Sequence, residues 1–126
     1  MITASIKFLD NGANIDLPCK SGELMDILGS IGVLISPNAM MLDNARTVKI
    51  KLMPDETIGE NVVSLINPTD TLGKLNKVCN AINCLDYRDY DIIEKGFNES
   101  KFKSLDNVLE AADRLREKRR DKENSR

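Results

Sequence analysis

The chain of 126 residues contains no histidine and no tryptophan. Without histidine the commonest general base is missing, and Ser–His and Cys–His nucleophilic pairs are excluded outright. Aromatic residues make up only 4%, so a core has to be assembled from Leu, Ile, Val and Met. The three cysteines, Cys19, Cys79 and Cys84, are odd in number and too sparse for a disulfide framework. Free thiols in a reducing compartment fit them better, and no His is present to complete a zinc site with Cys79 and Cys84. They are expected to be small buried hydrophobes. No run approaches the roughly 18 apolar residues of a membrane span. The start, Met1-Ile2-Thr3-Ala4-Ser5-Ile6-Lys7, lacks the basic-then-apolar pattern of a signal peptide, so a cytoplasmic location follows by default. Gly22, Gly29, Gly32, Gly59 and Gly73 fit neither phosphate-binding fingerprint, and no loop is spaced like an EF-hand. The expectation is a protein that is not an enzyme, with no cofactor and no metal.

What is present is 41% apolar and 30% charged residues, enough for one compact domain or two very small ones. The net charge of −2 hides an uneven distribution. Residues 114–126 hold seven Lys/Arg against three Asp/Glu, a balance of +4 that leaves −6 on residues 1–113. The body is acidic and the tail basic.

Along the chain the apolar period changes. Ile2, Ala4, Ile6 and Phe8 alternate with Thr3, Ser5 and Lys7, as in a half-buried strand. Asp10-Asn11-Gly12 signals a turn, and residues 13–17 a returning strand that Pro18 stops. Ser21 is placed to cap a helix carrying Leu24, Ile27, Leu28 and Ile31, which Gly32 ends. Residues 33–44 are ambiguous. Val48, Ile50 and Leu52 mark a further strand over 46–53, broken at Pro54-Asp55-Glu56. The second half is helical. Thr69 or Asp70 caps a helix whose Leu72, Leu75, Val78, Cys79, Ile82 and Leu85 form one stripe. A short acidic helix over 88–95 is closed by Gly96. Ser104 caps a last helix with Leu105, Val108, Leu109, Ala112 and Leu115 facing inward. The fold class is α+β: a small antiparallel sheet with one helix in residues 1–60, an α-helical subdomain in 61–116, and a charged, disordered tail in 117–126.

The residues that stand out are Asp86, Asp89, Asp91, Glu94 and Glu99, interleaved with Tyr87 and Tyr90. Asp106, Glu110 and Asp113 repeat the acidic spacing on the next helix. Residues three and four apart are neighbours on a helix, about 5–6 Å between Cβ atoms, so these carboxylates would stand in ranks resembling the phosphates of a nucleic-acid strand. Acidic residues near helix starts also follow from the helix dipole alone, and exposed faces are usually just solvated.

The run Thr71-Leu72-Gly73-Lys74-Leu75-Asn76-Lys77-Val78-Cys79-Asn80-Ala81-Ile82-Asn83-Cys84-Leu85 resembles a helix of ArdA-type antirestriction proteins. The acidic helix after it, the phrase from Phe102 to Ala112, and Leu17-Pro18 with Ser21-Gly22-Glu23-Leu24 are similar as well. The resemblance spans about residues 2–115, the family's N-terminal and middle domains only. A basic tail stands where the family has a third, acidic domain. The resemblance implies a non-enzymatic mimic of bent B-form DNA, encoded on a phage, plasmid or other mobile genetic element. Such a mimic occupies the DNA-binding groove of a Type I restriction-modification complex. The partner would be that protein complex, or a CRISPR complex or host regulator, with the eight carboxylates as its contact surface. No direct DNA binding is expected, and a homodimer stays open. The competing expectation is a small nucleic-acid-binding or regulatory module that uses the basic tail.

Overall fold

The alternation in the first strand is realised in a computed structural model that describes residues 1–42 and 48–124, with side chains through Lys118. Strand β1 (Ile2–Phe8) lies between β2 (Asn11–Leu17) and β3 (Val48–Pro54), all antiparallel, in the order β2-β1-β3. Ile2, Ala4 and Ile6 are buried, and their partners Leu17, Ile15 and Ala13 on β2 and Leu52 and Ile50 on β3 line the same face. The hairpin turn is Leu9-Asp10, not Asp10-Asn11-Gly12, because Phe8 already pairs with Asn11. Leu9 adopts φ 55° there. Positions 46–47 of the expected third strand lie outside the described residues.

Helix α1 (Ser21–Ser30) follows, its first turn preceded by Lys20 as N-cap. Ser21 therefore sits inside the helix instead of capping it, and no side chain caps this end. Gly32 closes it as expected: at φ 91° it lets Val33 N–H donate to Leu28 C=O at 2.9 Å. A 3₁₀ turn (Pro37–Ala39) and a bridge between Met41 and Thr71 occupy the ambiguous stretch.

Helix α2 (Thr57–Val63) falls where the sequence pattern predicts no element. Thr57, Ile58, Gly59, Val62 and Val63 are weak helix formers, so local propensity does not announce it. Burial of Ile58 and Val62 holds it against the sheet, so closely that a Cβ at Gly59 would collide with the Met1 carbonyl.

Helices α3 (Leu72–Asn83), α4 (Tyr87–Asn98) and α5 (Leu105–Asn124) complete the chain. Thr71 caps α3 by accepting from Lys74 N–H at 3.1 Å, while the expected cap Asp70 accepts instead from Asn67 N–H at 2.8 Å in the preceding turn. Gly96 does not end α4. It lies inside the helix, where the Phe102 ring takes the space of a Cβ, and the closing residue is Ser100 at φ 55°. Ser104 does cap α5, accepting from Asn107 N–H at 3.3 Å. α5 continues to Asn124 through charged residues expected to be disordered; Lys, Arg and Glu carry helix well without burial.

The fold is thus α+β, with the helices stacked on one face of a three-stranded antiparallel sheet. Leu75, Val78, Ile82, Leu105 and Val108 are fully buried and Leu109 half-buried. They share one hydrophobic cluster with Ile2, Ile6, Leu17 and Leu24 from the sheet half, and α2 runs across residue 60. Among the described residues no helix is long and apolar enough to cross a membrane.

Candidate interaction surface

Helix α3 packs against α5, the 3₁₀ turn and β2. Its Asn76 is buried and grips the backbone of Cys19 twice: Nδ2 donates to Cys19 C=O at 2.9 Å, and Oδ1 accepts from Cys19 N–H at 3.0 Å. Asn80 Nδ2 donates to the same carbonyl at 3.0 Å. These bonds fix the strand-to-helix connection onto α3. α5 packs along α3, and α4 packs on α5.

The eight carboxylates expected to form one array occupy several environments. Asp86 is the N-cap of α4, half-buried, and accepts from Asp89 N–H at 2.9 Å; Asp89 is half-buried in that first turn. Glu99 follows the last turn of α4 and pairs with Lys101 at 2.9 Å and Lys95 at 4.0 Å. The Lys101 hydrogen bond, then its charge, hold the Glu99 carboxyl below its ordinary value. Asp106 pairs with Lys74 at 3.2 Å, and the same ammonium lies 3.7 Å from the buried Asp70. Glu110 and Asp113 are exposed on α5, Asp113 beside a groove of about 590 Å³ that Met25 and Asn38 also line.

Asp91 and Glu94 are different. Both are exposed, three residues apart, and no salt bridge joins either to a described cation. Tyr87, one turn earlier, is 71% exposed. Tyr87, Asp91 and Glu94 therefore form a single stripe at i, i+4 and i+7. The stripe borders a cleft of about 320 Å³ lined by Tyr87, Tyr90, Leu85, Ile82, Pro18 and Glu56. Burial pushes the Tyr90 phenol above its ordinary value, and the charge and hydrogen bonding of Glu94 act in the same direction, followed by Glu56 and Asp91. A negative field thus converges on a half-buried tyrosine.

Glu56 and the cleft were not readable from the sequence, because Glu56 immediately precedes α2, whose position depends on tertiary packing. The interleaving of Tyr87 and Tyr90 with the acids was the available signal. The cysteines also separate. Cys79 is buried, which pushes its thiol up to about 12, Cys19 is half-buried, and Cys84 is exposed, contrary to the expectation of three buried thiols. Among the described residues no group of three or more His, Cys, Asp or Glu could hold a metal ion. No family model, no curated protein and no solved structure matches the chain.

Proposed function

We propose that the chain is a non-catalytic inhibitor that docks its acidic tyrosine corner into a basic groove of a DNA-binding complex, as the resemblance to ArdA-type antirestriction proteins implies. The observation that carries the reading is the exposed Tyr87–Asp91–Glu94 stripe beside the Tyr90–Glu56 cleft. Tyrosines anchor protein interfaces because they bury large area at small entropic cost, and acids around them select a positively charged partner. A groove built to hold DNA is rich in Lys and Arg, since phosphate charge dominates that affinity. A Type I restriction-modification enzyme is the partner of this chemistry that the resemblance names.

The mechanism is occupancy. Carboxylates engage the cations that would hold phosphate, the tyrosines supply the dry contact, and DNA is kept out. Attraction between exposed charges is screened over about 8–10 Å at moderate salt, so binding weakens as salt rises. The test is phage plating on a host carrying a Type I system, with parent or a Tyr87→Ala/Asp91→Asn/Glu94→Gln variant expressed. The parent relieves restriction and the variant does not, while their melting curves coincide. A parent without effect, or a folded variant that relieves restriction equally, overturns the reading.

A further inference from the structure

The face of the sheet turned away from the helices has a composition of its own. Its cross-strand rows are Asp16-Thr3-Met53, Asn14-Ser5-Lys51 and Gly12-Lys7-Lys49. Three lysines thus meet one aspartate in a chain that is negative overall, and Thr3 Oγ1 already donates to that Asp16 at 3.0 Å. Lys7, Lys49 and Lys51 are exposed, and none is joined by a salt bridge to a described carboxylate. A shallow depression of about 220 Å³ lies beside Lys7, between Ser5, Gly12 and Asn14.

Stability does not account for this arrangement. Lys7 and Lys49 are direct partners across β1 and β3, and like charges directly opposite each other destabilise a sheet. Lysines on an outer strand can guard it against unwanted pairing, which would cover Lys49 and Lys51 on β3. Lys7 is on the central strand, where there is no edge to guard.

We propose that this face is a second binding surface, for the sugar–phosphate backbone of duplex nucleic acid. Lysines, hydroxyls and amides are the groups that contact phosphate and sugar. The face presents no aromatic ring, so it offers no platform on which the bases of a single strand could stack. It reads backbone charge without sequence. The inference rests on the sheet face alone, is independent of the acidic corner, and stands against the expectation of no direct DNA binding.

The experiment is fluorescence anisotropy of a labelled duplex with the full chain, at salt from about 50 to 200 mM. Three neutralised phosphates predict an affinity loss of about 40-fold over that range. A Lys7→Gln/Lys49→Gln/Lys51→Gln variant loses the binding and its salt dependence, while its melting temperature stays equal to the parent's or rises as the repulsion is removed. A Lys118→Gln/Arg119→Gln/Arg120→Gln variant retains most of the binding. The proposal is overturned if the parent does not bind the duplex, if the tail variant alone abolishes binding, or if a single strand or anionic vesicles are bound more tightly. The Tyr87/Asp91/Glu94 variant binds the duplex like the parent, so failure of either surface is read separately.

Discussion

Helices α3 and α4 are both twelve residues long, and they spend their residues in opposite ways. α3 buries eight positions, Leu72, Gly73, Leu75, Asn76, Val78, Cys79, Ala81 and Ile82. α4 buries two, Ile93 and Gly96. Each starts on a side-chain cap, Thr71 for α3 and Asp86 for α4, so local chemistry does not separate them. The difference lies in what surrounds them: α3 is covered by the 3₁₀ turn, β2 and α5, whereas α4 leans on α5 alone among its stronger contacts. A helix enclosed on several sides is constrained by packing. One held along a single side is free to carry charge and tyrosine on its other faces.

That contrast can be broken by substitution, beginning with the largest effect. Leu75→Ala should cost about 2–5 kcal/mol, the range for a fully buried leucine. A melting temperature equal to the parent's would show that α3 is not the spine. Asn76→Ala takes the acceptor from Cys19 N–H and one of two donors from Cys19 C=O, which keeps Asn80, for an expected cost of about 1–3 kcal/mol in denaturant titration. Asp86→Ala deletes the α4 cap and should cost about 1 kcal/mol, seen as a lower helical signal and a small drop in the melting midpoint. Asp91→Asn with Glu94→Gln should change stability by less than about 0.5 kcal/mol, as for exposed surface groups, since the glutamine can still accept from Tyr90. A large loss in that double variant would mean that the stripe supports the fold instead of facing a partner.

Much of the fold was legible because its signals are local. Period-two alternation marks β1, Gly32 ends α1 with its positive φ, and the Leu75, Val78, Ile82 stripe marks the inner face of α3. The misreadings share a cause. Gly96 looked like a stop, yet the glycine is there for the ring of Phe102, six residues on, and Ser100 takes the left-handed position instead. Asn76 reads as one polar residue in an apolar helix, and its reason is a peptide group 57 residues earlier in the chain. α2 is held by contacts that no window around it contains. For the candidate site, spacing predicts one array of eight carboxylates, whereas the structure divides them among several environments. Asp86, Glu99 and Asp106 are engaged in capping and ion pairs, which spacing alone does not reveal.

The order β2-β1-β3 has a kinetic consequence. β1 meets β2 through a two-residue turn, but it meets β3 only after about forty residues of chain have been looped out. Hairpins close in about 1–10 μs, whereas long closures lose entropy before any contact compensates for it. The two seams of the same strand should therefore form at different times. Ala13→Gly, on the hairpin seam, should slow refolding, while Leu52→Ala, on the distant seam, should mainly hasten unfolding in stopped-flow chevrons. Equal effects of both substitutions on the folding limb would mean that the sheet closes in one step. Otherwise the central strand carries a record of assembly, with one edge early and one late.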